Sequence, residues 1–265
     1  MAHALQHRCE SGYGFRARPF GPSRNDRGGR LRHWLVCWSR VAALLIAAGS
    51  PAAAQTQVDL QLVLAVDASG SVSHQRFELQ KRGYIAAFRH PQILQAILSG
   101  LNQSIAVTMM QWTGPALQVI TAKWTLINDV GSIRAFADAI DQTPRQLFGG
   151  GTSISGALDT GVALLNDSPY KSARRIIDVS GDGANNRGRP VTRARDEAVA
   201  ARIGINGLPI LAIEPDLDKY YEDNVIGGPG AFVVAAKDYE TFADAILKKL
   251  ITEIAGMTPG KVARK

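Results

Sequence analysis

The stretch Leu62-Val63-Leu64-Ala65-Val66-Asp67-Ala68-Ser69-Gly70-Ser71 decides the fold. Its first five residues form the unbroken apolar run of a buried strand. Asp67-Ala68-Ser69-Gly70-Ser71 then turns tightly, and Ser73 has the hydroxyl to cap a following helix. One carboxylate and two hydroxyls thus stand at the carboxyl end of a strand, where open α/β sheets bind their ligands. All are hard oxygen ligands, suited to Mg2+, Mn2+ or Ca2+. Taken alone, the string reads equally well as an ordinary strand-to-helix turn.

Downstream, Phe77, Tyr84, Ile85 and Phe88 mark one face of a helix from Ser73 to Arg89, which Pro91 closes. Ile105 to Trp112 and Leu117 to Trp124 read as strands of an antiparallel hairpin at a sheet edge, turned at Gly114-Pro115. Met109 and Met110 fall on opposite faces of the first strand, and Trp112 and Trp124 pack the hairpin. Asp129 to Ile140 is helical. Gly149-Gly150-Gly151-Thr152-Ser153 precedes Ile154, Ala157, Leu158, Gly161, Val162 and Leu165, an amphipathic helical spacing. Thr152 therefore sits at a helix N-terminus, as a cap or as a ligand behind glycines.

Arg174 to Ser180 reads as a strand that ends in Gly181-Asp182-Gly183, a second carboxylate just past a strand. A polar loop with Asn185, Asn186 and Arg187 follows, then a helix from Thr192 to Ile203. Asn206-Gly207 precedes the strand Leu208 to Ile213. Lys219 to Val225 reads as a short helix, with Tyr220 and Tyr221 divided between surface and sheet. Gly227-Gly228-Pro229-Gly230 turns into a strand from Ala231 to Ala235, and Tyr239 to Ala255 is the last helix. The alternation implies an α/β fold: a mostly parallel central sheet with one antiparallel edge strand and helices on both faces.

Composition narrows the function. The chain has 265 residues, 46% of them apolar and 20% charged, with a formal charge of +7. Residues 1–54 hold eight Arg and no Lys against Glu10 and Asp26, so they carry +6 of that charge. The remainder is nearly neutral, which argues against nucleic acid as a partner. Both cysteines, Cys9 and Cys37, lie in the same N-terminal part, so the body has neither disulfide nor thiolate metal site. Its two histidines, His74 and His90, are too few for a His-based zinc site and poorly placed for a Ser-His-Asp triad.

Residues 1–54 read as an N-terminal extension ending in a cleavable export signal. Arg40 precedes the apolar Val41 to Ala48, and Ala52-Ala53-Ala54 fits cleavage after Ala54. The apolar run is too short to span a bilayer once mature. The long basic stretch ahead of it points to a translation start near Leu31. Cys37 lacks the small preceding residues of a lipidation site. Residues 55–265 then form a single domain, periplasmic or secreted, with a basic tail after Gly256.

D-x-S-x-S at Asp67, Ser69 and Ser71, Thr152 after a glycine run, and Asp182-Gly183 after a central strand occur in a characteristic order. The set resembles the metal-ion-dependent adhesion site of the von Willebrand factor type A domain, over nearly all of residues 58–255. The stretch Tyr220 to Gly230 is similar to an uncharacterised exported bacterial subgroup of that family. The resemblance implies a Rossmann-like fold in which Ser69, Ser71 and Thr152 offer hydroxyl oxygens to a divalent cation, Mg2+ first, with Mn2+ or Ca2+ as alternatives. Asp67 and Asp182 would bind it directly or through water. Ser180-Gly181 departs from the Thr that many members place beside the second Asp.

Neutral hydroxyls leave the cation's charge partly unneutralised, and an open position can accept a carboxylate. The resemblance therefore implies a non-enzymatic protein-binding module, monomeric on its own, whose partner presents Asp or Glu. It also implies that the last helix can shift with occupancy, although a statically docked helix explains the same apolar face. A metal-dependent hydrolase is the rival, since such a cation can activate water. No general base is evident, and neither a G-x-S-x-G elbow, a phosphate-loop lysine nor a G-x-G-x-x-G spacing is present. A purely structural metal is the third reading.

Overall fold

A computed structural model describes residues 55–256, and the expectations for the extension, the export signal and the tail lie outside the described residues. The chain runs through β1 (Thr56–Gln57), β2 (Leu60–Asp67), α1 (His74–Arg89), α2 (Pro91–Leu98), β3 (Ile105–Trp112), β4 (Gln118–Ile127) and α3 (Val130–Gln142). It continues with α4 (Ile154–Asn166), β5 (Tyr170–Lys171), β6 (Arg175–Gly181), α5 (Val191–Ala200) and β7 (Gly204–Pro209). It ends with α6 (Leu217–Tyr220), a π turn (Tyr221–Val225) and α7 (Phe242–Ala255).

The central sheet has the order β4-β3-β2-β6-β7. Every pairing is parallel except β3 with β4, which closes one edge as an antiparallel hairpin. A second, two-stranded parallel sheet joins β1 to β5. β2 occupies the centre and is buried along its whole length. Its side chains alternate between two cores, as a strand covered on both faces requires.

Leu60, Leu62, Leu64 and Val66 face the layer of α1, α2, α3 and α7. Val63 and Ala65 face the other core with α4 and α5. Met109 and Met110 divide between the same two layers, as their adjacency on a strand demands. Phe242, Ile246 and Leu250 dock α7 on the first layer with no exposure. Burial of such a side chain contributes roughly 1.5–3 kcal/mol.

Local chemistry sets the element ends. Ser73 Oγ accepts the Arg76 N–H at 3.2 Å and caps α1. Pro91 begins α2 at the helix position that tolerates a missing N–H. Asp129 and Ser132 form a reciprocal capping box on α3.

Several boundaries differ from the sequence reading; α5 stops at Ala200 instead of Ile203, and β4 runs on to Ile127 past Trp124. β7 spans Gly204–Pro209 rather than 208–213, so Asn206-Gly207 lies within the strand and not before it. Buried Asn206 Nδ2 donates to Glu253 Oε1 at 2.8 Å, and a Cβ on Gly207 would stand 2.5 Å from the Tyr221 ring. Packing therefore selects the pair that local propensity assigns to a turn. Residues 231–235 run beside β7 but make only isolated bridges, such as Gly207 with Val233, instead of a strand. The helix expected at 219–225 is a single α turn followed by the π turn. α7 begins at Phe242, leaving Tyr239 in the preceding loop.

Candidate functional site at the carboxyl edge of the sheet

β2 and β6 are neighbours, so their parallel register brings the turn after Asp67 beside the turn that carries Asp182. Asp67, Ser69 and Asp182 are at most 1% exposed, and Thr152 is 5% exposed. Asp67 Oδ1 accepts the Ser69 N–H at 2.7 Å, which folds the turn back on its own carboxylate. Ser69 Oγ lies 3.1 Å from Ser71 Oγ, and Ser71 Oγ donates to Asp182 Oδ1 at 2.6 Å. The Asp182 N–H donates to Asp67 Oδ2 at 3.4 Å. Four of the five candidate residues are thus joined in one hydrogen-bonded network.

Thr152 approaches from the N-terminal side of α4. Ser153, not Thr152, caps that helix, its Oγ accepting the Gly156 N–H at 3.2 Å. Thr152 is instead held by its backbone. Its N–H donates to Asn186 Oδ1 at 2.9 Å, and its carbonyl accepts the Asn186 and Arg187 N–H groups. Asn185 Oδ1 accepts the Ser155 N–H at 3.0 Å. The loop at 185–187 therefore positions Thr152, a function hidden in a sequence that reads equally as a solvated loop. Thr152 Oγ1 lies 3.8 Å from the point where a Cβ on Gly183 would stand, next to Asp182.

The electrostatics are unbalanced. Burial, and after it the charge of Asp182, pushes the Asp67 carboxyl up to about 7. Arg76 Nη1 reaches Asp182 Oδ2 at 4.0 Å, and Tyr239 donates its hydroxyl to the same oxygen at 2.8 Å. Burial pushes the Tyr239 hydroxyl up, so it remains a donor.

Sequence reasoning missed three supporting side chains. Arg145 donates to the carbonyls of Ala68, Ser69 and Val72, tying down the turn after β2 from a loop 73 or more residues away. Gln80 Nε2 donates to the Asp67 carbonyl at 3.2 Å. Tyr239, which the sequence pattern places at the start of the last helix, lies in the loop before α7. An Arg in an irregular loop and a Gln on a helix carry no local signal of such contacts. The departure at Gly181 has a steric reason: a Cβ there would stand 2.9 Å from Asp67 Oδ2 and 3.0 Å from the Tyr221 hydroxyl.

Among the described residues, no group of three or more His, Cys, Asp or Glu side chains could hold a metal ion. The site here combines two carboxylates with hydroxyls. No helix among them is long and apolar enough to cross a membrane.

Comparison with known proteins agrees with the architecture. The pilus adhesin SpaC from Lactobacillus rhamnosus GG superposes with a TM-score of 0.55 at 16% identity, over 75% of this chain and 31% of that one. A von Willebrand factor type A protein from Catenulispora acidiphila gives 0.52 at 16% identity, over 74% and 43% of the two chains. Proximal thread matrix protein 1 of the mussel byssus, with a zinc-occupied metal-ion-dependent adhesion site, gives 0.51 at 14% identity, over 75% and 46%. This chain thus spans less than half the length of each of these structures. No curated protein matches the sequence. The model of the family described as protein of unknown function (DUF1194) matches residues 57–258. The chain belongs to that family, and its fold is that of the von Willebrand factor type A domain.

Proposed function

We propose that the chain is an exported, non-enzymatic protein-binding module whose carboxyl-edge site takes a divalent cation, Mg2+ first, and through it an acidic side chain of a protein partner. One observation carries this reading. Asp67 and Asp182 are buried against each other, bridged from the Asp182 N–H to Asp67 Oδ2, with Arg76 4.0 Å from Asp182. Two buried carboxylates that repel each other are costly unless a cation or a proton neutralises them.

The donor set fits a hard cation. Ser69, Ser71 and Thr152 offer neutral hydroxyls, and the carboxylates supply the charge. When bound, the cation supplies a Lewis-acid position for a carboxylate. The chain's own part is positional. Arg145 and Gln80 fix the turn after β2, and Asn186 fixes Thr152. Among solved structures of this fold, one is a pilus adhesin and another has a zinc-occupied adhesion site, which supports the same reading.

The test is capture of protein from extracts of the native cell by the immobilised full chain. The account expects capture with Mg2+, its loss with chelator, and its loss in Thr152→Ala. Hydrolysis of a phosphoester or peptide that depends on Asp67 would contradict the binding reading. Unfolding on chelation with no change in capture would favour a structural metal.

A further inference from the structure

The opposite end of the sheet carries a second feature that the adhesion-type site does not use. A cavity of about 550 Å3 opens where β6 and β7 begin, between the end of α5 and the Gly227–Ala231 loop. β6 runs seven residues from Arg175 at the cavity to Gly181 beside Asp182, on the order of 20 Å of strand. Its volume lies in the range of small-molecule sites.

Among the described residues, Arg174, Arg175 and Arg202 line it and no acidic residue does. Arg174 donates to the backbone carbonyls of Glu253 and Ile254. Arg175 donates to the Ala201 carbonyl and to Asn166 Oδ1. These acceptors are neutral; the charges of Glu253 and Asp59 act on Arg174, whereas no carboxylate acts on Arg175. Burial pushes both guanidiniums down. Arg202 is exposed and has a φ of 59°, in the left-handed region that favours glycine. Its backbone N–H donates to the Val199 carbonyl at 2.9 Å, and its guanidinium has no hydrogen-bond or ion-pair partner among the described residues. Ile176, Val199 and Ile203 give the same cavity an apolar wall. The rim is Pro229 and Gly230, in the Gly-Gly-Pro-Gly stretch that the adhesion-type site leaves unexplained. Gly228 and Gly230 have φ values of 93° and 75°, which shape this rim.

We propose that this cavity is a binding site for a small organic carboxylate, its head on Arg175 and Arg202 and its hydrocarbon body against Val199 and Ile203. Guanidinium forks match the geometry of a carboxylate, and the apolar wall selects against a bare inorganic anion. The site is independent of the metal edge.

Calorimetric titration of the full chain with hexanoate and phenylacetate, in the presence of chelator, tests it. Inorganic phosphate and hexylamine serve as controls. Saturable binding of at least one carboxylate is expected, with none of hexylamine. Arg202→Gly and Arg175→Gln should each weaken it about ten-fold, as loss of one charge-assisted hydrogen bond does. Arg202→Gly removes the guanidinium at a backbone position that glycine adopts freely, so its effect does not arise from unfolding. Asp67→Ala should leave the binding unchanged, which separates this site from the proposed metal site. No saturable binding of either carboxylate, equal binding of phosphate, or indifference to both arginine substitutions would overturn the proposal.

Discussion

Ser71 donates its hydroxyl to Asp182 at 2.6 Å, joining two turns that are 111 residues apart in the sequence. The contact exists because β2 and β6 are parallel neighbours and end at the same edge. A doubly wound sheet converts residues far apart in sequence into one polar cluster at the carboxyl ends of its strands.

Thr152→Ala separates ligation from stability. The Thr152 hydroxyl makes no hydrogen bond among the described residues, while its backbone N–H and carbonyl remain bonded to residue 186. The substitution should change the thermal midpoint of the metal-free protein little and weaken Mg2+ binding about ten-fold or more. Calorimetry with thermal unfolding reads both quantities.

Tyr239→Phe removes the hydroxyl that donates to buried Asp182 Oδ2. A hydrogen bond to a charged group contributes about 1.5–3 kcal/mol. The metal-free variant should lose about that much in urea unfolding. Retention of full stability would show that Asp182 does not depend on this donor.

Gly181→Ala should destabilise by roughly 1–3 kcal/mol, the ordinary range for overpacking. The added methyl would stand 2.9 Å from Asp67 Oδ2, 3.0 Å from the Tyr221 hydroxyl and 3.2 Å from Trp112 Cζ2. All three neighbours are fully buried, so none has room to yield. Denaturant midpoints of the two proteins provide the comparison.

A buried charge cluster sets a pH dependence. Lys249 Nζ of α7 lies 2.6 Å from Asp178 Oδ1 and 2.7 Å from Glu253 Oε1, and all three side chains are solvent-free. Burial, and after it the charge of Glu253, pushes the Asp178 carboxyl up to about 7, with Lys249 opposing. Tyr84 faces the same cluster, and burial pushes its hydroxyl up. An acid raised on folding binds more protons in the folded state between its unfolded value and about 7. Its contribution therefore falls as pH rises through that window. Asp178→Asn should flatten the stability profile between about pH 4 and 7 relative to wild type. Asp67 adds a loss of the same sign in metal-free protein, so the difference between the two proteins isolates Asp178. Parallel profiles would contradict the assignment.

Much of this architecture was legible in the sequence because burial on both faces of a parallel sheet leaves continuous apolar runs. Leu62 to Val66 reads as a buried strand, and it is one. Ser73 and Asp129 read as helix starts because capping is a local matter. What failed was decided at long range. Asn206-Gly207 has the local signature of a turn, yet Glu253 and Tyr221 hold it in a strand. At the site, the family resemblance pointed to Asp67, Ser69, Ser71, Thr152 and Asp182, and the parallel register joins all but Thr152 in one hydrogen-bonded network. Arg145, Gln80 and Tyr239 did not announce themselves, because each acts on a turn far from it in sequence.

The central claim is that the carboxyl-edge cluster takes a divalent cation. The most direct measurement is a Mg2+ titration of the full chain beside Asp67→Ala, read by thermal unfolding and calorimetry. At about 100 times the dissociation constant, the wild type should gain roughly 2.7 kcal/mol, and Asp67→Ala should gain nothing. A wild type that responds to neither Mg2+ nor Mn2+, or a mutant that responds equally, would contradict the account.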